Sequence, residues 1–245
     1  MTTTTATPTT AGRRASADWT RKYSRAAGIF YLVTFAASMP AASFFLAPIL
    51  SDPNYILGPG ADTRVAMGCL LDVITALAGI GSAVAVLPVV RRQNEGLALG
   101  FVTSRMFEAA VIMIGVVSLL AVVTLRQEFA GAAGADQSAL LISGHALVAV
   151  RDWTFQYGPN LAASINALLF GTLLYRSRLV PRAIPTLGLL GAPLLLAVTL
   201  ATGLGFIPAS SALFGLAVPV ALWEVTIGTW MLVKGFTPSP LTAVA

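Results

Sequence analysis

Apolar stretches of about twenty positions or more run through most of the chain and are separated by short polar joints. A helix needs about 20 residues to cross roughly 30 Å of hydrocarbon. Five runs reach that length: 27–50, 65–90, 97–125, 185–204 and 211–233. A sixth, 159–175, is near the short limit and is expected to start earlier, around Trp153. The apolar segment 139–150 covers only about half a span and is expected to be a short interfacial or re-entrant helix on the outer side. The pattern predicts an all-α, polytopic transmembrane helical bundle of six spans. Residues 1–24, Thr-rich and then basic, are expected to be a disordered cytoplasmic tail with an interfacial anchor at Trp19 and Tyr23. Residues 25–236 would form the transmembrane domain and 237–245 a short C-terminal tail.

Composition agrees with this reading. Hydrophobic residues make up 56% and charged residues 10%, and the mean hydropathy is +0.81. An ordinary soluble domain carries about 25% charged residues. Cys69 is the single cysteine, so no intramolecular disulfide can form. Lysine occurs only at Lys22 and Lys234, an arginine bias that suggests a GC-rich bacterial coding sequence.

The net charge of +5 is not a nucleic-acid signal, because the basic residues sit in short clusters beside apolar runs. With six spans and an inside N-terminus, eleven of the fifteen basic residues fall on the cytoplasmic side. Arg64, Arg126 and Arg151 fall outside, and Arg105 lies within the membrane. That asymmetry predicts both termini inside, with the bundle in a bacterial plasma (inner) membrane. The lipid bilayer is the expected partner, and nucleic acid is not.

Against this apolar background four charged positions stand out: Asp72, Arg105, Glu108 and Glu224. A charge near the bilayer centre costs roughly 2.5–3.5 kcal/mol on insertion scales, so such groups face one another or a wet cavity. At about 1.5 Å per residue, all four fall in the central third of the bilayer. Arg105 and Glu108 are three apart on one helix and can pair. Asp72 and Glu224 then have no basic partner in the membrane, which with all acids ionised leaves an excess of two negative charges, to be relieved by protonation of an acid or by a bound cation. Asn160, Asn166 and Thr75 could extend the polar lining or simply bond helix to helix. The pairs Phe107-Glu108 and Trp223-Glu224, each followed by a glycine (Gly115, Gly228), hint at two inverted halves. Small residues four apart, Ala163, Ala167 and Gly171 and also Gly79 and Ala83, suit close helix packing.

Other chemistry is missing. His145 is the only histidine and suits an exposed surface role. No metal-ligating His or Cys cluster, nucleophile elbow or phosphate loop is present. No cofactor or metal is expected. The leading function is binding or translocating a small polar or cationic solute, or protons, through the charged cluster. A non-catalytic subunit or scaffold, whose buried charges only fix helix packing, is the alternative. A carboxylate-based intramembrane enzyme is the third class.

Several motifs point to a family. They are Tyr31-Leu32, Leu71-Asp72-Val73, Arg105-x-x-Glu108-Ala109 and the loop Leu174-Tyr175-Arg176-Ser177-Arg178-Leu179-Val180-Pro181-Arg182. The run Glu224-x-x-x-Gly228-x-Trp230-x-Leu232-Val233-Lys234-Gly235-Phe236 closes the set. Together, over roughly 25–236, they resemble a large family of bacterial integral membrane proteins catalogued as a domain of unknown function. The resemblance implies a six-helix inner-membrane protein and brings no activity with it.

Overall fold

The computed structural model describes residues 10–129, 131–132, 136–208 and 212–242. Among these no strand occurs, and the chain is built of α1 (Thr10–Pro40), α2 (Ala47–Ser51), α3 (Asp62–Val90), α4 (Glu95–Phe129), α5 (Gln137–Phe155), α6 (Ala163–Ser177), α7 (Ala183–Gly203) and α8 (Val218–Val233). Two π-helical segments, Ala41–Phe45 and Gln156–Ala162, prolong α1 and join α5 to α6. Five helical stretches are long and apolar enough to cross a membrane: Asp18–Phe45, Asp62–Val90, Glu95–Phe129, Ala183–Gly203 and Gly215–Val233.

The long helices pack in a circuit that closes. α1 lies between α3 and α8, α3 packs on α4, α4 on both α5 and α6, α6 on α7, and α7 on α8. Inside the ring are two apolar cores. One, at the end carrying both termini, centres on Tyr31, Phe101, Phe170, Leu173, Trp223 and Met231. The other holds Leu46, Ile49, Ile56, Val65, Leu119 and Val122. On α4 the first core reaches Phe101 and the second starts at Ala109, so Arg105 and Glu108 fall between them.

Two expectations need correcting. The short helix foreseen at 139–150 is not a separate element. α5 continues through the π segment into α6, giving one helical rod from Gln137 to Ser177. Pro159 lacks a backbone N–H, and here it is absorbed in the π segment instead of ending the helix. The second correction concerns the tail. Residues 10–24 are helical and continuous with the first long helix, whereas 1–9 lie outside the described residues. The Arg21 guanidinium donates to the Val233 and Lys234 carbonyls at 3.2 and 3.3 Å, and Ser24 Oγ donates to Met231 O at 2.8 Å. These bonds use helix-terminal carbonyls that have no intrahelical partner. Trp19 stacks edge-on with Tyr23, and Arg92 lies over its ring.

The C-terminal residues are docked at this same end. Thr237 N donates to Leu179 O at 2.8 Å, and Leu179, Val180 and Phe236 are buried together. Two of the family motifs, the 174–182 loop and the run ending in Lys234-Gly235-Phe236, therefore lie together. Gly235 makes the turn between α8 and this strap with φ of 80°, a backbone state that disfavours side chains.

At the opposite end Asp62 ties three pieces together. It accepts from Arg126, from Gln127 at 2.9 Å and from the Tyr55 hydroxyl at 3.0 Å. Arg126 also donates to Gly58 O at 3.0 Å, which fixes the 55–58 turn to the end of α4. Burial pushes the Tyr55 hydroxyl up to about 12, so it remains a proton donor to Asp62 at neutral pH. The exposed His145 ring sits 2.8 Å from Pro53 O, pinning α5 to the same loop.

Asp136 caps α5, accepting from the Ser138 and Ala139 backbone N–H groups at 2.9 and 3.2 Å and from the Ser138 hydroxyl at 2.6 Å. The Ser138 hydroxyl first, and then the two N–H groups, hold its carboxyl below the ordinary aspartate range. A depressed carboxyl stabilises the fold above its unfolded value and loses that contribution as pH falls through the folded one. Asp136→Asn keeps an acceptor but carries no charge. Its melting temperature is expected to show a smaller acid-side decline than the parent in a pH series.

Candidate functional site

The charged layer surrounds a cavity of about 180 Å³. Its wall is drawn from α1, α3, α4, the α5–α6 rod and α8, and it contains Asp72, Arg105, Glu108, Arg151 and Glu224. Both π segments contribute to it, through Ala42 and Pro159. Such segments are rare and recur at functional sites.

Arg105 is the hub. It is 3% exposed, and its two terminal nitrogens each hold a carboxylate at 2.9 Å, Glu108 on its own helix and Glu224 on α8. Glu108 Oε2 also accepts from the Asn166 amide of α6 at 2.8 Å. One guanidinium thus links α4, α6 and α8. Below it the Tyr31 and Phe101 rings lie 5.1 and 5.8 Å from the guanidinium carbon, within cation–π range. Tyr31, Phe101, Phe170 and Trp223 stack on one another and are fully buried. They form an aromatic floor that separates the cavity from the end bearing the termini. On another side, the exposed Met39 and Phe155 both line the cavity, so it reaches the molecular surface between α1 and α5.

The expected set is therefore brought together, with one addition and two subtractions. The addition is Arg151, placed outside the membrane in the sequence reading. It is 6% exposed, lines the same cavity and lies 3.8 Å from Asp72. Asp72 is thus not without a basic partner, and neither is Glu224. Three carboxyl groups face two guanidiniums, so with every group ionised the excess is one negative charge, not two. The available signal was continuity: with 139–175 taken as one helix, Arg151 falls inside an apolar run as Arg105 does.

Asn160 is the first subtraction. Its amide donates to Gln156 Oε1 at 2.5 Å within the π segment, and it does not reach the cavity. The second is the matched aromatic-Glu pattern. Trp223 is fully buried in the floor, whereas Phe107 is 48% exposed and points away from it, so the two pairs are not equivalent. Asn166 stays in the group through Glu108, and Thr75 lines the wall.

Two glycines border the arginines. A side chain at Gly79 would make only ordinary contact with the Arg105 stem, at 3.9 Å, whereas one at Gly115 would collide with the Thr154 hydroxyl at 2.5 Å and meet the Arg151 stem at 3.1 Å. Gly79 thus faces the Arg105 stem rather than a neighbouring helix. Ala163, Ala167 and Gly171 do serve packing: the alanines are buried, and Gly171 lies against Leu189 and Pro185 of α7.

A closed ring of apolar helices around a buried ionic cluster defines a multi-pass membrane protein. No curated protein and no solved structure matches the chain. A family model does, over residues 26–235, and the chain belongs to that family, described as Domain of unknown function (DUF4386).

Proposed function

We propose that the protein binds a small polar or cationic solute, or protons, in this cavity and carries it across the membrane. The observation that supports the reading is the excess of carboxyl groups over guanidiniums around the cavity. Asp72, Glu108 and Glu224 outnumber Arg105 and Arg151 by one within a largely apolar wall. An unbalanced charge in low dielectric is costly, and a bound cation or proton removes it. The aromatic floor supports one-sided access, as a carrier requires in each of its end states. The accompanying topology is six crossings with the α5–α6 rod as the fourth, both termini cytoplasmic, in a bacterial plasma membrane. Arg21, Arg92 and Lys234 gather at the end with the termini, in keeping with positive charge on the inside.

The test is flux in liposomes loaded with a pH-sensitive dye, under imposed proton and monovalent-cation gradients. Glu224→Gln and Glu108→Gln are each expected to reduce flux to the protein-free background while the protein still elutes as a folded species. Undiminished flux in both variants overturns the proposal. The scaffold reading also has a specific observation in its favour, the bonds from Arg105 and Glu108 to α8 and α6. It prevails if the parent shows no flux under any gradient and both variants melt earlier than the parent.

A further inference from the structure

Arg105 and Arg151 are both buried in the same wall, but they are used differently. Arg105 directs each terminal nitrogen at a carboxylate 2.9 Å away. The Arg151 guanidinium donates no hydrogen bond to any described residue, and its nearest carboxylate oxygen, Asp72 Oδ2, is 3.8 Å away, beyond hydrogen-bond reach. A guanidinium carries five N–H donors, and buried polar groups rarely leave all of them unused. This one is more than nine-tenths buried, lies 4.8 Å over the Phe155 ring and faces the cavity with its edge free of hydrogen bonds. It presents an open fork whose geometry matches a carboxylate or phosphate.

The other pole has the opposite character. Glu108 spends Oε2 on both Arg105 and Asn166, which leaves Oε1 unbonded. Glu224 spends Oε1 on Arg105, which leaves Oε2. Two free carboxylate oxygens beside one cavity suit an ammonium group. The helix register gives the spacing. Arg151 rests at Gly115 on α4, seven residues beyond Glu108, and on α3 Asp72 precedes Gly79, which faces the Arg105 stem, by the same seven. Two helical turns are about 10 Å. Thr75, Ala76, Ala109 and Ile112 line the wall between the poles and are mostly apolar.

We infer that the ligand of this cavity is a small zwitterion, with its anionic end on Arg151 and its ammonium on Glu108 and Glu224, joined by a short apolar chain. This rests on the solute-binding reading and names its substrate class. The same chemistry is presented by a free aminocarboxylate and by a phosphoethanolamine lipid headgroup, the latter entering past Met39 and Phe155.

The test is isothermal titration of the full-length protein in phosphatidylglycerol nanodiscs. The probes are ω-aminocarboxylates from glycine to 6-aminohexanoate, with n-alkylamines and n-alkylcarboxylates of matching length. One or more of the longer zwitterions is expected to bind at least about tenfold more tightly than its matching amine, since a site built for a polar group rejects the analogue lacking it. Arg151→Gln should erase that preference. Arg151→Lys, which keeps the charge without the fork, should retain part of it and serves if the glutamine variant fails to fold. A second arm repeats the titration with phosphatidylethanolamine added to the discs. Weaker aminocarboxylate binding there, seen in the parent and not in Arg151→Gln, assigns the site to the headgroup. Amines binding as tightly as zwitterions would overturn the inference and leave cation transport standing. Absence of binding by every probe, together with no effect of phosphatidylethanolamine on protein melting, overturns it as well.

Discussion

Replacing Arg105 with alanine is expected to cost about 3–5 kcal/mol, the usual penalty for leaving a buried charge without its partner. Glu108 and Glu224, whose side chains are 12% and 20% exposed, would then face each other with no cation between them. In a thermal melt of the detergent-solubilised protein the variant should lose a large part of its stability or fail to accumulate. The cause can be checked separately from the loss. Adding Glu108→Gln and Glu224→Gln to Arg105→Ala removes the stranded charges and should restore much of the melting temperature. A triple variant as unstable as the single one would show that the guanidinium acts through packing on Tyr31 and Phe101 instead.

Gly28→Ala is expected to be the most damaging substitution of its size. The added carbon would sit 2.7 Å from the Gly228 carbonyl oxygen and 3.0 Å from the Leu232 Cα. Both belong to the backbone of α8 and cannot turn aside. Within a helix alanine is favoured over glycine by about 1 kcal/mol, but overpacking of this kind costs about 1–3 kcal/mol, so the net sign is destabilising. Pushing α1 from α8 also strains the Ser24–Met231 bond and the Tyr31 contact with Gly228. Gly96→Ala is the control: it lies exposed in the first turn of α4, where the nearest atom is the Asn94 side-chain oxygen at 3.5 Å. It should be neutral or slightly stabilising in the same melt. Equal losses in the two variants would refute the close-approach argument.

The contrast between Gly28 and Gly79 shows where sequence reading stops. Both are small residues in apolar helices, and spacing alone marked Gly79 with Ala83 as a helix contact. The structure gives that role to Gly28 and Gly228 and leaves Gly79 facing the Arg105 stem at ordinary contact distance. Which face of a helix meets a neighbour depends on the rotation of the whole rod. An apolar helix in lipid has little amphipathic stripe from which that rotation could be read.

Arg151 makes the same point for the site. Its charge was visible, but its place depended on whether 139–150 stands apart from the span that starts near Trp153 or runs on into it. A π segment carries the helix on, and that local outcome moves a guanidinium from a loop into the cavity wall. Asn160 moves the other way, because the same segment turns its amide toward Gln156. The tail is a further case, since Arg13, Arg14, Arg21 and Lys22 read as a solvated run. Residues 10–24 are instead helical, and Arg21 finds its acceptors only where α8 ends beside it.

The chain by itself determined that this protein is helical, that its helices are long enough for a bilayer, and that Asp72, Arg105, Glu108 and Glu224 are charges set within apolar helices. Those results need only the cost of exposing a peptide group or a charge to hydrocarbon, which every residue pays according to its own chemistry. Tertiary structure alone decided that Arg105 bridges Glu108 to Glu224, that Arg151 stands open beside Asp72, and that an aromatic floor seals one side of the cavity. Pairing among buried groups depends on helix rotation and register, and these are fixed by backbone contacts between residues up to two hundred positions apart.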